Sequence, residues 1–558
     1  MRTVATQRFI AVRIVLFLSL LPAGGAFAQP LQPGDLEYAG AFRLPDWPDP
    51  EIGWPWGGSA LAYYPGGDPS GPNDGCPGSL FGTGHDWNQY VSEISIPRPV
   101  ISPGKNLSDL NTASTLQGFR DIRGGLFPFS SYELPRVGLE YLPPQGGQSA
   151  GKLYFCWGQH NQEMETTPSH GWCGLNLEQP GSVGPWRIDN LLNYVTNDYI
   201  FSIPPSWADA HVPGMYLATG RFRDGGQGGE GPSLIAYSPG NQGNPPPAQA
   251  TLPAAPLLLY GNAYEPNPPA MVDYHHSDEW SGGAWLTAGV KSAVIFVGTK
   301  GLGDCWYGCP DGTVWEPPYP PSCPDRGWWS TYFAGRFVFY DPSDFAAVAA
   351  GQMPPHQPQP YAAMDIDSVL FAHPGEREKY HTGGCAFDRD RGLLYLFEPL
   401  ADGDKPLVHV WKVHGNGGAP TPVPAPTPPP PPPFRPVFPS GDYNGDGTTD
   451  IAIFRGSSGM WLVRNLTRAY FGSSTDYPLP ADYDGDGTTD IAIFRESFGM
   501  WSVRNLSRFY LGSGGDAPVP GDYDGDGTSE AGIFRESFGM WSIRNITRIY
   551  FGATGDTA

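Results

Sequence analysis

Short runs of alternating apolar and polar residues cover most of this chain, and they predict β-strands rather than helices. DIAIFR, from Asp450, alternates as a half-buried strand does. GMWLVRN, from Gly459, does the same after a short turn, and RAYFG, from Arg468, adds a third short strand. The set returns as DIAIFRESFGMWSVRN from Asp490 and AGIFRESFGMWSIRN from Ala531, so this part of the chain repeats with a period of 40 residues. Strands of this length separated by turn signals mark a propeller blade or a related β-array.

The front of the chain repeats more loosely. Units begin near Gly57, Val137, Val212, Gly282 and Gly383, spaced by 70 to 101 residues. Each has a short apolar strand, a Gly-rich or charged turn, and a stronger apolar strand. The expected fold class is therefore all-β. A front β-propeller of about five blades, with room for a sixth, is joined by a Pro-rich linker to three 40-residue β-repeats. A pair of β-sandwiches is the rival architecture. The opening strand LEYAGAFRL, from Leu36, is placed to close the ring by pairing with the last blade. One short helix is expected over DPSDFAAVAA, residues 341–350, where Asp or Ser can cap an Ala-rich turn.

Boundaries follow from composition. Residues 1–28 read as a secretory signal. Arg2, Arg8 and Arg13 precede an apolar run from Ile14 to Leu21, and Ala26, Phe27 and Ala28 form a small-residue cleavage site. The run is too short to span a bilayer, which predicts a secreted chain, extracellular or periplasmic. The propeller-like domain takes 29–414. Residues 415–440, GNGGAPTPVPAPTPPPPPPFRPVFPS, form an extended, semi-rigid spacer. The array takes 441–558, with repeats at about 437–476, 477–516 and 517–558.

The formal charge is −23, and it excludes nucleic acid as a partner; nothing in the sequence indicates peripheral contact with a membrane. With 75 Gly and 64 Pro the chain could be taken for a disordered one, but its 13% aromatic content argues for a folded, loop-rich protein. Export permits disulfides. Cys156 and Cys173 are placed to pair across a hairpin, and Cys305, Cys309 and Cys323 crowd one Pro-rich loop. The odd count of seven leaves at least one thiol free or intermolecular.

The strongest chemical signal is a decapeptide: GDYNGDGTTD at 441, ADYDGDGTTD at 481 and GDYDGDGTSE at 521. Oxygen-bearing residues fall at positions 1, 3, 5 and 9, Gly at position 6 allows a sharp turn, and Thr at position 7 can offer its backbone carbonyl. This spacing converges oxygens on one point, as calcium requires. The predicted ligands are Asp442, Asn444, Asp446, Thr448 and Asp450; Asp482, Asp484, Asp486, Thr488 and Asp490; and Asp522, Asp524, Asp526, Thr528 and Glu530. The bidentate Glu that an EF-hand carries at position 12 is replaced by strand residues. The pattern [AG]DYDGDGxxDIAIFR followed by GMWxVRN resembles the FG-GAP or VCBS-type repeats of secreted and cell-surface proteins. That resemblance covers 437–558 and implies propeller blades with structural calcium. Related propellers use about seven blades, so three imply an open array, one that self-associates, or a shortened copy.

The front domain is less explicit. His85, His160, His275, His276 and His381 lie beside proposed strands, and a ring of imidazoles at a propeller axis could hold a transition metal. Trp54, Trp56, Trp306, Tyr307, Trp328 and Trp329 could stack on sugar rings, with Asp86, Asp278, Glu279 and Glu398 as candidate carboxylates for a glycan hydrolase or lyase. The reading favoured here is a calcium-binding recognition or adhesion protein, with an extracellular glycan or surface protein as partner. A carbohydrate-active enzyme or a His-metal oxidoreductase is the alternative, and whether the chain is an enzyme stays open at this point.

Overall fold

A computed structural model describes residues 29–415 and 441–550, apart from 69–70, 72–75, 128–134, 160–165, 223–225, 241–244, 318, 321–322, 324, 373–378, 474–475, 497–498, 513–515, 536–539 and 545. The expected signal and most of the linker lie outside them. The protein is all-β, built from multiple sheets with two short α-helices among the described residues. The chain divides into two compact units, Met1–Ala419 and Pro420–Ala558, with the break inside the Pro-rich stretch.

Among the described residues the front unit holds five sheets, mostly antiparallel, that follow one another along the chain. The first comprises Leu61–Tyr64, Ser79–Thr83, Val91–Ser95 and Thr115–Arg120. The second comprises Pro135–Leu142, Lys152–Gln159, His170–Cys173 and Val183–Ile188, with Thr251–Leu252 added in parallel at its edge. The third is Tyr199–Ser202, Leu217–Gly220, Leu234–Tyr237 and Ala254–Leu258. The fourth is Glu279–Ala288, Lys291–Gly308, Gly327–Tyr340 and Ala362–Asp365. The fifth is Cys385–Asp388, Leu393–Asp402 and Lys405–Val413, and its outer strand is Leu36–Arg43 from the start of the unit.

The first strands of these sheets neighbour one another in cyclic order, the fifth lying beside the first. Five apolar cores sit between consecutive sheets. Each sheet therefore buries both faces, and the period-2 rule sorts its side chains between two cores. In the run Ala293–Val297, Val294 and Phe296 enter the core shared with the third sheet, while Ala293, Ile295 and Val297 enter the core shared with the fifth. Where the first strands meet, the backbones touch. Gly384 donates its amide to the Gly58 carbonyl at 2.9 Å, and a Cβ at 384 would lie 2.6 Å from the Ala60 Cα. The cavity there, about 10 Å³, is lined by Ser59, Gly138, Ile200, Ser281 and Cys385 among others, and it has room for about one water molecule.

Two expectations need correction. Cys156 and Cys173 are both free and buried. The register sets Cys156 opposite His170 and Cys173 opposite Leu153, so the thiols point to opposite faces of the second sheet, one into each adjoining core. The disulfide is Cys309–Cys323, and it closes the tip of the long hairpin formed by Lys291–Gly308 and Gly327–Tyr340. The third unit begins at Tyr199 rather than Val212, because the segment between carries an unexpected helix, α1 (Pro205–His211). The expected helix is present as α2 (Pro342–Ala349), and the Asp341 side chain caps it by accepting from the Ser343 amide at 2.8 Å.

Among the described residues the second unit contains three sheets. The first is Ala452–Arg455, Met460–Val463 and Thr467–Tyr470. The second is Asp476–Pro478, Ala492–Arg495, Met500–Val503 and Ser507–Tyr510. The third is Ala517–Pro518, Gly532–Arg535, Met540–Ile543 and Thr547–Tyr550. One core, around Trp461 and Ile493, joins the first two sheets; another, around Trp501 and Ile533, joins the last two. This packing is serial.

Because the obstacle at Gly384 is backbone, Gly384→Val should destabilise the front unit by about 2–3 kcal/mol, the usual cost of overpacking a close approach. A urea melt of the full chain, compared with the unsubstituted protein transition by transition, checks this.

Candidate metal centre

Each acidic decapeptide forms a tight loop that runs into a repeat strand: Ala452–Arg455, Ala492–Arg495 or Gly532–Arg535. Position 1 anchors the turn. Asp442 accepts from the amides of Gly445 at 2.8 Å and Gly447 at 2.7 Å. Asp482 accepts from Gly485 at 2.7 Å and Gly487 at 2.9 Å, and Asp522 from Gly525 at 2.7 Å and Gly527 at 3.1 Å. The turn needs glycine at position 6, where Gly487 has φ of 87°. Position 9 reaches back over the loop: Asp450 and Asp490 accept from the amides of Tyr443 and Tyr483 at 2.8 and 2.9 Å. Glu530, despite its longer side chain, makes the same bond to Tyr523 at 2.9 Å.

The result is a cluster of oxygens. One ligand atom from each of Asp482, Asp484 and Asp490 lies within 4.8 Å of the others, and the same holds for Asp522, Asp524 and Glu530. Such a group could hold a metal ion. In the first loop Asn444 supplies a neutral oxygen between Asp442 and Asp450. Position 5 behaves differently from its neighbours. Asp446, Asp486 and Asp526 each turn one oxygen to the following threonine, accepting from its amide and its hydroxyl. Thr448, Thr488 and Thr528 thereby hold the position-5 carboxylates and keep them below the usual carboxylate range.

The electrostatics of the second loop are those of like charges held together. Burial, then the nearby Asp484, Asp482 and Asp486, push the Asp490 carboxyl up to about 6 against the pull of the Tyr483 amide. Burial and the neighbouring carboxylates raise Glu530 as well. A divalent cation replaces this repulsion by attraction.

The front unit's candidate residues do not gather in this way. His85 accepts from the Trp87 amide at 3.2 Å and lies 3.1 Å from Asp86. His275 bonds Ser330 at 2.9 Å, and burial and then Lys300 lower it to about 4. The His276 ring packs on Trp328 at 4.4 Å. His381 is buried, 2.8 Å from Asp367. His160 lies outside the described residues. No metal-capable group among the described residues contains a histidine.

Three of the four candidate carboxylates are interior. Asp278 is buried against Lys300, 3.0 Å away, and also accepts from the amides of Gly301 and His275. Glu398 is buried and ties the chain at Phe371 and Ala372 to the fifth sheet through two amide bonds of 2.8 and 2.7 Å. It also contacts His409 at 2.7 Å, whose other nitrogen meets Tyr38. Glu279 is buried at the start of its strand. Asp86 is the one with partial access to solvent.

The aromatics divide. Trp54 is fully buried, and Trp329 nearly so, while Trp56 is exposed. Trp306, Tyr307 and Trp328 ride on the disulfide-closed hairpin, where Tyr307 is exposed and Trp306 and Trp328 are half-buried. Tyr307 meets Trp328 edge-on at 5.5 Å, and Trp315 stacks on Tyr319 at 5.3 Å.

A clamp in the repeats escaped the sequence reading. Asp476 and Arg495 form a bidentate pair at 2.7 and 2.9 Å, and Asp516 and Arg535 repeat it at 2.7 and 2.9 Å. Both carboxylates are buried, and each clamp fastens a short leading strand to the next strand. The legible signal was an Asp and an Arg 19 residues apart, twice. The chain matches no protein-family model and no curated protein.

A carboxyl raised by folding favours the protonated state, so its contribution to stability is present below 3.8, the ordinary Asp value, and is lost as pH rises through about 6. Metal-free protein should therefore melt lower in its repeat transition at neutral pH than at pH near 4. Asp490→Asn together with Glu530→Gln should flatten that dependence. Calorimetry in a chelator across this range checks it.

Proposed function

We propose that the protein is a secreted, calcium-stabilised recognition protein. In this reading the five sheets of the front unit are the blades of a propeller, closed by the strand Leu36–Arg43. The cyclic order of the first strands and the five intervening cores support it. The three repeat sheets are blades of FG-GAP or VCBS type. Their loops take calcium through positions 1, 3 and 9, with the free oxygen of position 5 and the position-7 carbonyl available to complete an all-oxygen shell. The Cys309–Cys323 disulfide fits export to an oxidising compartment.

The observation that carries the recognition role is the hairpin of the fourth sheet. It extends past its neighbours in length, is closed by the disulfide, and presents Trp306, Tyr307, Trp315, Tyr319 and Trp328 with Arg326 over the Trp315 ring at 4.7 Å. Two braced ring pairs, Tyr307 with Trp328 and Trp315 with Tyr319, each join an exposed tyrosine to a half-buried tryptophan, and an extracellular glycan can stack on them because a ring face offers apolar contact at little conformational cost. A hydrolase or lyase receives no such support, since Asp278, Glu279 and Glu398 are buried.

Full-length protein should bind a subset of an extracellular glycan array. Tyr307→Ala with Trp328→Ala should weaken that binding by more than about tenfold, the loss expected of aromatic anchors, with melting unchanged. Binding that survives the double substitution would remove the hairpin from the site. In the same protein, calcium titration followed by calorimetry should raise the repeat transition; an unchanged transition would remove calcium from the reading.

A further inference from the structure

Among the described residues of the second unit, three asparagines are exposed: Asn444, Asn465 and Asn505. Asn465 and Asn505 occupy hairpin turns, with φ of 62° and 65°, and each is followed by leucine. Asn444 holds position 3 of the first acidic loop and is followed by Gly445. An asparagine side chain survives in a chain as long as the next backbone nitrogen is kept from its amide carbon. A side chain on the next residue hinders that approach, and glycine has none. The first loop has no freedom to replace this glycine. Gly445 has φ of 75°, and a Cβ there would lie 3.1 Å from Thr488 Cγ2 of the next loop. The turn therefore builds in the labile pair.

The same loop sets out the groups that the reaction needs. Asp442 Oδ1 accepts from the Gly445 amide at 2.8 Å, so the proton that the attacking nitrogen must shed already lies against a carboxylate able to take it. The Asp446 amide donates to Asn444 Oδ1 at 2.9 Å, the oxygen on which negative charge develops during attack. Asn444 and Gly445 are both exposed, which admits the water that completes the reaction.

We propose that Asn444 deamidates within the folded protein, turning the first loop into an acidic loop like the other two. The Gly445 nitrogen attacks Asn444 Cγ. A new N–Cγ bond closes a succinimide ring, the Cγ–Nδ2 bond breaks, and Nδ2 leaves as ammonia with the proton shed by the Gly445 amide. Water then opens the ring. Addition at Cγ restores the main chain and leaves aspartate. Addition at the main-chain carbonyl of residue 444 leaves isoaspartate, whose backbone is longer by a methylene. The aspartate product gives the first loop the same residue types as the second at positions 1, 3, 5, 7 and 9, and so a carboxylate at each of positions 1, 3 and 9, the three that the second and third loops bring together. The reaction consumes only water, and it stands without the calcium and glycan readings.

Full-length protein, held in a chelator at mildly alkaline pH in water labelled with heavy oxygen, tests this by peptide mapping, with fragmentation to place each change. Residue 444 should lose its amide and gain a labelled oxygen, as aspartate and isoaspartate together, while Asn465 and Asn505 keep their amides over the same period. The circular dichroism spectrum and melt should stay those of folded protein while the product accumulates. Asn444→Gln should abolish the gain at this position, because the longer side chain would have to close a larger ring. Conversion at Asn444 no faster than at Asn465 would overturn the proposal. So would product that appears only in samples whose spectrum shows unfolding, or a labelled oxygen that still enters at residue 444 of the Asn444→Gln protein at an undiminished rate.

Discussion

The packing of one sheet against the next governs this protein more than any bond within a sheet. In the front unit the succession of sheets returns to its start, and every sheet is covered on both faces. That is why the run Ala293–Val297 within Lys291–Gly308 carries consecutive apolar residues that are all buried. Burial at about 25 cal/mol per Å² of apolar surface, summed over five cores, is the dominant favourable term. It depends on the first strands meeting closely, which only small residues allow. Gly384 against Ala60 is the clearest instance, and the same crowding leaves little room for a ligand at the centre.

The interior polar groups follow from that geometry. Where a loop must return across the end of a sheet, a carboxylate collects its amides: Glu398 for the chain at Phe371 and Ala372, Asp278 for the turn at His275. A buried charge left alone would be costly, and each of these is paired and hydrogen-bonded. Residues that look catalytic in the sequence thus fasten loops to sheets.

The repeats obey the same rule with a different closure. Their cores form between successive sheets, the clamps at Asp476 and Asp516 fasten each leading strand, and the acidic loops stand in register along one edge, linked by backbone bonds. Ile451 and Ile453 of the first repeat stay exposed. The loops themselves hold like charges together at an electrostatic cost, which their amides offset only in part.

What the sequence determined by itself was local and periodic. Alternation announced strands, the 40-residue period counted the repeats, and the acidic spacing brought positions 1, 3 and 9 of the second and third loops together, because each depends on residues only a few positions apart. The strand Leu36–Arg43 was legible as a partner for the end of the front unit because its apolar pattern stood alone. Tertiary structure decided the rest. Cys156 and Cys173 are adjacent in any hairpin drawing, yet an odd offset in register sends them into different cores. Asp278 and Glu398 are candidate catalytic carboxylates in sequence, and only long-range packing made them interior. Ile453 and Ile493 hold the same repeat position and differ in exposure because a neighbouring sheet covers Ile493. Burial is set by contacts between distant segments, and no local pattern carries that information.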